Sequence, residues 1–291
     1  MSALARPARK LRHRPRRMLI KVASVALGVL LLIWSLLPVY NMVLIALDPD
    51  GDTEFAGYVW PPDPSFESFR AVWSQGYWYL EDVWNQFGNS VYVGLWTMVL
   101  TVFISSLASF AVGRMIPSKG RLLINAGLLT YVLPSSLLAI PFLRVTKSYG
   151  LMDNLWAVIA AEVMFAAPFA ILILQHYAKL IPIELDEAAR VDGASPLQMY
   201  GRIYLPLMAP ALVAVGIYAL LLSWSEYLYQ YMLISTKQNW TVAVALEQFW
   251  DSDEAPWNYM MALAIAYSLP PVAVFYCLNR YVRAGARGAK R

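Results

Sequence analysis

Two carboxylates lie in or beside long apolar runs: Glu162 within Asn154–Ala178, and Glu226 directly after Ile203–Ser225. A charge at membrane depth faces a cavity or a partner, so each can relay a proton or hold a hydroxyl. Around Glu226, the stretch SWSEYLYQY (Ser223–Tyr231) brings together Trp224, Tyr227, Tyr229, Gln230 and Tyr231. Aromatic faces suit the C–H side of a polyhydroxylated solute, and amides and carboxylates suit its hydroxyls, because a buried polar group demands a partner. Trp224, Glu226, Tyr227, Gln230 and, near the second apolar run, Asn89 are therefore the expected solute path. An interfacial belt at Tyr227–Tyr231, with Glu226 reaching water, is an equal alternative, and Asn89 and Ser90 suit helix-end capping or interhelical hydrogen bonding better than they suit the path. Glu162 is expected to bond a neighbouring helix. The two histidines, His13 and His176, are far apart, and the lone Cys277 has no second cysteine for a disulfide or a metal site. The two carboxylates lack a supporting histidine or metal motif, which disfavours an enzyme. The chain also contains no Gly-Lys dipeptide and hence no phosphate-binding P-loop. Any ATP hydrolysis belongs to another chain, and no cofactor is expected in this one.

The elements that carry these residues follow from composition. The chain has 291 residues, is 59% hydrophobic and 14% charged, and has a mean hydropathy of +0.49. Soluble domains average about 45–50% apolar and about 25% charged, so an integral membrane protein is expected. A helix needs about 20 apolar residues to span a bilayer. Six runs qualify: Val22–Leu47, Val83–Gly113, Leu122–Leu143, Asn154–Ala178, Ile203–Ser225 and Ala255–Asn279. The fold class is all-α with six transmembrane helices. Pro38, Pro134, Pro141, Pro168, Pro270 and Pro271 predict kinks or breaks, which membrane helices tolerate when neighbours satisfy the freed carbonyls.

Charge sets the orientation. Residues 1–21 carry eight bases and no acid, whereas Asp48–Trp84 carries eight acids and one base. Arg114–Arg121 has three bases, and Arg280–Arg291 has five, both without acids. Both termini are then cytoplasmic, and the 48–84 and 236–254 loops are external. The turn with Arg144 and Lys147 falls outside, against the trend. The first run is too long for a signal peptide and reads as an uncleaved span. The expected layout is a basic tail (1–21), a first span (22–47), an external loop (48–84), a five-helix core (85–283) with a cytoplasmic loop at 177–206, and a short basic tail (284–291). The N-terminal tail suits anionic lipid headgroups rather than nucleic acid.

That cytoplasmic loop, PIELDEAARVDGASPLQMYGRIYLP (Pro182–Pro206), is patterned. Pro182 precedes a helix whose first turn holds Glu184, Asp186 and Glu187, where the helix dipole favours acids. Arg190 stands four residues after Asp186, a supportive spacing. Gly193 fits a helix stop that needs positive φ. Ser195 and Pro196 cap and open a second helix. Ala188 and Ala189 leave a low surface that another protein's backbone can approach, with Glu187 beside them to meet a cation.

Glu187-Ala188-Ala189, Gly193 six residues after the glutamate, and Ile203-x-Leu205-Pro206 resemble the EAA motif of ABC importer permeases at every fixed position. FGNSVYVG (Phe87–Gly94) resembles the start of their core. GLMDNLWAVI (Gly150–Ile159), IPIELDEAARVDGAS, VWPPDPSFESFRAVW and SWSEYLYQY resemble the carbohydrate, maltose-type subgroup. One departure is Trp224-Ser225, where that subgroup usually has Trp-Asn; it weakens any transfer of solute contacts. The resemblance implies an importer of two permeases, expected to be different chains, and two ATPases that bind ATP and Mg, fed by an external solute-binding protein at an inner membrane. Glu187, Ala188, Ala189, Asp192 and Gly193 would meet the ATPase, and the 236–257 loop the binding protein. The competing expectation is a proton-coupled secondary transporter using Glu162 and Glu226, although no repeated halves are visible.

Overall fold

The computed structural model describes residues 14–49, 59–250 and 256–288. Most of the basic N-terminal tail with His13, the acids from Asp50 to Glu54, the 251–255 stretch and the last three residues lie outside the described residues. The helices are α1 (Arg14–Leu47), α2 (Glu67–Ser74), α3 (Val83–Phe110), α4 (Pro117–Leu128), α5 (Ser135–Ser148) and α6 (Leu155–Ala178). They continue as α7 (Glu184–Val191), α8 (Pro196–Met199), α9 (Leu205–Ser225), α10 (Leu228–Leu233), α11 (Val242–Trp250) and α12 (Trp257–Gly288). No strand occurs among the described residues.

Five stretches are long and apolar enough to cross a membrane: Met18–Leu47, Trp78–Met115, Leu155–Ala178, Pro196–Ser225 and Trp257–Leu278. The third expected span is different. Leu122–Tyr131 and Ser135–Ser148 meet at 100° and make a sixth span only if taken together. Pro134 sits at the break with ψ 134°, and the residue before a proline is pushed away from helical geometry. Pro38, Pro141, Pro168, Pro270 and Pro271 instead remain inside continuous helices.

The chain divides into two compact units. One comprises residues 1–69 and 256–262. In it, the Ser65 N–H donates to the Leu47 carbonyl at 2.8 Å, and Asn258 Nδ2 donates to the Asp48 carbonyl at 3.0 Å. The large apolar side chains of α1 from Met18 to Tyr40 are exposed, as suits a helix solvated by lipid.

The other unit, residues 70–255 and 263–291, is built on α3, α6 and α9. Lipid tails are as apolar as leucine, so membrane helices associate through close packing of small residues and interhelical hydrogen bonds. The buried face of α3 supplies both: Ser90, Gly94, Thr97, Thr101, Ser105 and Ser109 recur at three- and four-residue spacing. A Cβ on Gly94 would lie 2.9 Å from Leu220 Cδ1 of α9, so any larger residue there would have to displace that side chain. Ser106 shares a hydroxyl–hydroxyl bond with Tyr200 (2.7 Å) and Ser109 one with Tyr204 (2.8 Å), both tyrosines being on the π-helical turn that joins α8 to α9. The expected second helix of the polar loop thus runs without a break into the α9 span.

Candidate functional site

The polar segment at one end of this unit is shaped by local turn chemistry. α7 carries Glu184, Asp186 and Glu187 in its first turn. Gly193 ends the turn after it with φ +78° and nothing within 4 Å of a Cβ. Its requirement is conformational rather than spatial. The N–H of Ala194 reaches back to the Ala189 carbonyl at 2.9 Å. Ser195 then opens α8 with a capping box: its own N–H donates to Gln198 Oε1 at 2.8 Å, and Gln198 N–H donates to Ser195 Oγ at 3.4 Å.

Glu187, Ala188, Asp192 and Gly193 are exposed on this segment. Ala189 is not. It points inward with Asp186, three residues earlier, and packs in the cluster that holds Phe110, Leu174, Met199 and Tyr204. The expected pairing of Asp186 with Arg190 is also corrected. Asp186 is buried and faces Arg114, whose Nε lies 3.1 Å from Oδ2. A buried carboxylate needs a charge or hydrogen-bond partner, and Arg114 supplies it while Arg190 stays exposed. Sequence reasoning missed the apolar neighbours of Glu187. Ile183, Leu185, Val191 and Leu197 are exposed, Val191 at 87% and Leu197 at 74%. Their signal was present as hydrophobic residues on the outward face of a helix–turn–helix.

At the opposite end, polar side chains fasten the turns between helices. Asn89 donates to the Gln238 and Trp240 carbonyls, both at 2.8 Å. Ser90 Oγ accepts from the Val242 N–H at 3.0 Å. Lys237 pairs with Asp82 at 3.0 Å. Asp153, in a turn with φ +59°, accepts from the Ser235 and Thr236 N–H groups, each at 2.9 Å. Burial works against its charge, but these N–H donors and the Thr236 hydroxyl outweigh it and hold the carboxyl below the usual aspartate range. Arg144 and Lys147, expected in a turn, lie instead near the C-terminal end of α5, which is at the same end as the 236–239 turn. The stretch after it is no open loop: it folds into α11, which buries Val242, Val244, Ala245 and Phe249.

The residues expected to line a solute path are largely occupied with holding the fold. Trp224 is buried, donates through Nε1 to the Tyr267 carbonyl at 3.0 Å and stacks on that ring at 4.9 Å. Tyr267 OH returns a bond to the Trp224 carbonyl at 2.8 Å. Ser225 bonds back to the Leu221 and Leu222 carbonyls at the end of its own helix. Glu226 accepts from the N–H groups of Tyr229 (2.9 Å) and Gln230 (3.3 Å) and so caps α10. Gln230 is buried and donates through Nε2 to Glu162 Oε1 at 3.1 Å, while its Oε1 accepts from Thr241. Thr97 donates to Glu162 Oε2 at 2.8 Å. Tyr227 packs its ring 5.4 Å from Tyr231. Glu162 thus bonds neighbouring helices, as expected, and neither membrane carboxylate stands unpartnered. No cluster of metal-ligating side chains occurs among the described residues.

A different aromatic group is accessible. Tyr131, beside the Pro134 break, is 6.4 Å from Phe169 of α6, which is 5.0 Å from Tyr218 of α9. Tyr131 and Tyr218 hydroxyls are 3.4 Å apart, and Tyr131 also bonds the Phe165 carbonyl. Tyr131 and Phe169 are exposed. Sequence reasoning passed over these three because each is isolated in its own apolar run.

A family model described as binding-protein-dependent transport system inner membrane component matches residues 92–288. The trehalose transport system permease protein SugB of Mycobacterium tuberculosis (strain CDC 1551 / Oshkosh) is 32% identical over 256 residues, covering 87% of this chain and 90% of that protein. The arabinooligosaccharides transport system permease protein AraQ of Bacillus subtilis (strain 168) is 26% identical over 279 residues, covering 94% and 97%. Among solved structures, a chain from a bacterial ABC transporter involved in the import of the acidic polysaccharide alginate superposes with a TM-score of 0.74 at 19% identity, covering 90% of this chain and 96% of that one. At that identity the likeness is one of fold.

Proposed function

This chain belongs to the family of binding-protein-dependent transport system inner membrane components, the permease subunits of ABC importers, and we propose that the solute it passes is a sugar or sugar derivative delivered by an external binding protein. The named sugar permeases among its relatives support this choice of solute class. The permease works with a second, different permease chain and two copies of an ATPase that bind ATP and Mg. Both termini and the α7–α8 segment face the cytoplasm, in keeping with the basic residues of the tails and of Arg114–Arg121.

The observation that carries the ATPase contact is the outward face of α7 and the turns around it. Glu187 and Ala188 stand exposed among Ile183, Val191 and Leu197. Large apolar side chains grouped outside the spans mark a surface that a partner covers. Glu187 offers that partner a carboxylate, Asp192 a second one, and Gly193 sets the turn. Ala189 acts from below, by seating α7 on the core.

The solute path is better placed at Tyr131, Phe169 and Tyr218 than at Trp224. Three helices converge on these rings beside a broken span, and Trp224 is committed to Tyr267. Affinity purification of the tagged chain from native membranes in mild detergent, with identification of every co-purifying chain, tests the assembly. An ATPase and a second permease are expected. An oligomer of this chain alone, even after crosslinking through the α7 face, would contradict it.

A further inference from the structure

Arg114 joins the end of α3 to the end of α6 and to α7, 64 or more residues further along the chain. It lies on the π-helical turn Ala111–Met115 that ends α3. Its Nη2 donates to the carbonyls of Ala178 (3.4 Å) and Ile181 (3.1 Å), at and just beyond the C-terminus of α6. Its Nε faces Asp186 Oδ2 on α7 at 3.1 Å. The side chains of the pair are only 10% and 8% exposed. A guanidinium has a rigid fork of donors and a charge that is never lost, so it can hold a helix end and a carboxylate at once. The C-terminal carbonyls of α6 also favour a cation.

Asp186 and Glu187 are adjacent on α7 and diverge by about 100° around the helix. Glu187 therefore meets the outside while Asp186 is gripped from within. Next to the clamp, Gly113 lets Gln175 of α6 approach to 3.1 Å from where a Cβ would stand, and Gln175 bonds the Ser109 carbonyl. The α3 end, the α6 end and α7 are fastened to one another at several points, and Arg114 reaches all three with one side chain.

We propose that Arg114 is the positioning residue through which movement of α7 is delivered to α3: the Arg114–Asp186 pair makes the partner-facing helix and the end of α3 one rigid body. Without it, α7 can follow the ATPase while α3 stays behind. This rests on the importer reading above.

The test uses the complete complex in nanodiscs, with Cys277→Ser as background and spin labels at Glu184→Cys on α7 and Ile104→Cys on α3. Distances are measured without nucleotide and after trapping with Mg-ATP and vanadate. With Arg114 present, the α7–α3 distance distribution is expected to be the same in both states. In Arg114→Ala, trapping is expected to shift or split it, and stimulation of ATP hydrolysis by the binding protein is expected to be lost while the ATPase remains bound. If Arg114→Ala does not assemble, Asp186→Asn gives the same reading, since it leaves the guanidinium its two carbonyls. An unchanged distance and full stimulation in either variant overturn the clamp. A wild-type chain recovered with no ATPase overturns the importer reading itself.

Discussion

Glu187–Gly193 and Trp224–Tyr231 are both polar segments beside membrane helices, and they use their side chains in opposite ways. In the first, backbone turns are completed locally by Gly193 and by the Ser195 capping box, so Glu187 and Ala188 are free to face outward. In the second, α9 stops at Ser225 and α10 begins at Leu228. The broken backbone there draws in the side chains: Glu226 caps α10, Gln230 bonds Glu162, and Trp224 clasps Tyr267. Polar residues at a helix break in a membrane protein are first required to satisfy the break itself. What remains for a partner or a solute is found where local turns have already met that demand.

The contrast is broken most severely by charge reversal on the outward segment. Glu187→Lys is expected to leave membrane insertion intact and to lower uptake by about 100-fold. Misplacing a charge at an interface costs several kcal/mol, and each 1.4 kcal/mol is about tenfold. Insertion is read by membrane fractionation and uptake in whole cells or proteoliposomes. Normal uptake would remove Glu187 from the coupling face.

The inward segment should respond in stability instead. Glu162→Ala strips partners from Thr97 and Gln230 and is expected to cost about 3 kcal/mol, read as a lower unfolding midpoint in detergent. Glu162→Gln, which keeps much of the shape and two polar atoms, should cost less. Equal losses would mean that charge rather than bonding is what the site requires.

A smaller effect sharpens the comparison. Phe169→Ala is expected to raise the KM for sugar uptake about tenfold, the equivalent of about 1.4 kcal/mol. Trp224→Phe should leave KM unchanged and lose about 1 kcal/mol of stability with its bond to Tyr267. The reverse pattern would return the solute path to Trp224.

Much of the framework was legible in the sequence because a span is a local property. The apolar runs fall within a few residues of α1, α3, α6, α9 and the first part of α12, and Gly193, Ser195 and Pro196 announced their turns. What was not legible depended on distant partners. Asp186 has Arg190 at a supportive spacing, yet its partner is Arg114, 72 residues back and fixed only when α3 packs on α6. Ala189 stands out in the sequence for its small size, but its direction follows from the buried face it shares with Asp186. The Ser, Thr and Gly seam of α3 was written at helical spacing and could have been found by looking for small residues rather than apolar ones. The 100° bend was announced by Pro134 only as a break, without its angle.

The most direct test of the coupling face is site-specific crosslinking at Ala188→Cys, in a Cys277→Ser background, within the purified complex. A crosslinked species containing this chain and the ATPase, lost when Glu187→Lys is added, is the predicted result. An intact complex in which Ala188→Cys never reaches the ATPase, with crosslinker of any reach, would contradict the account.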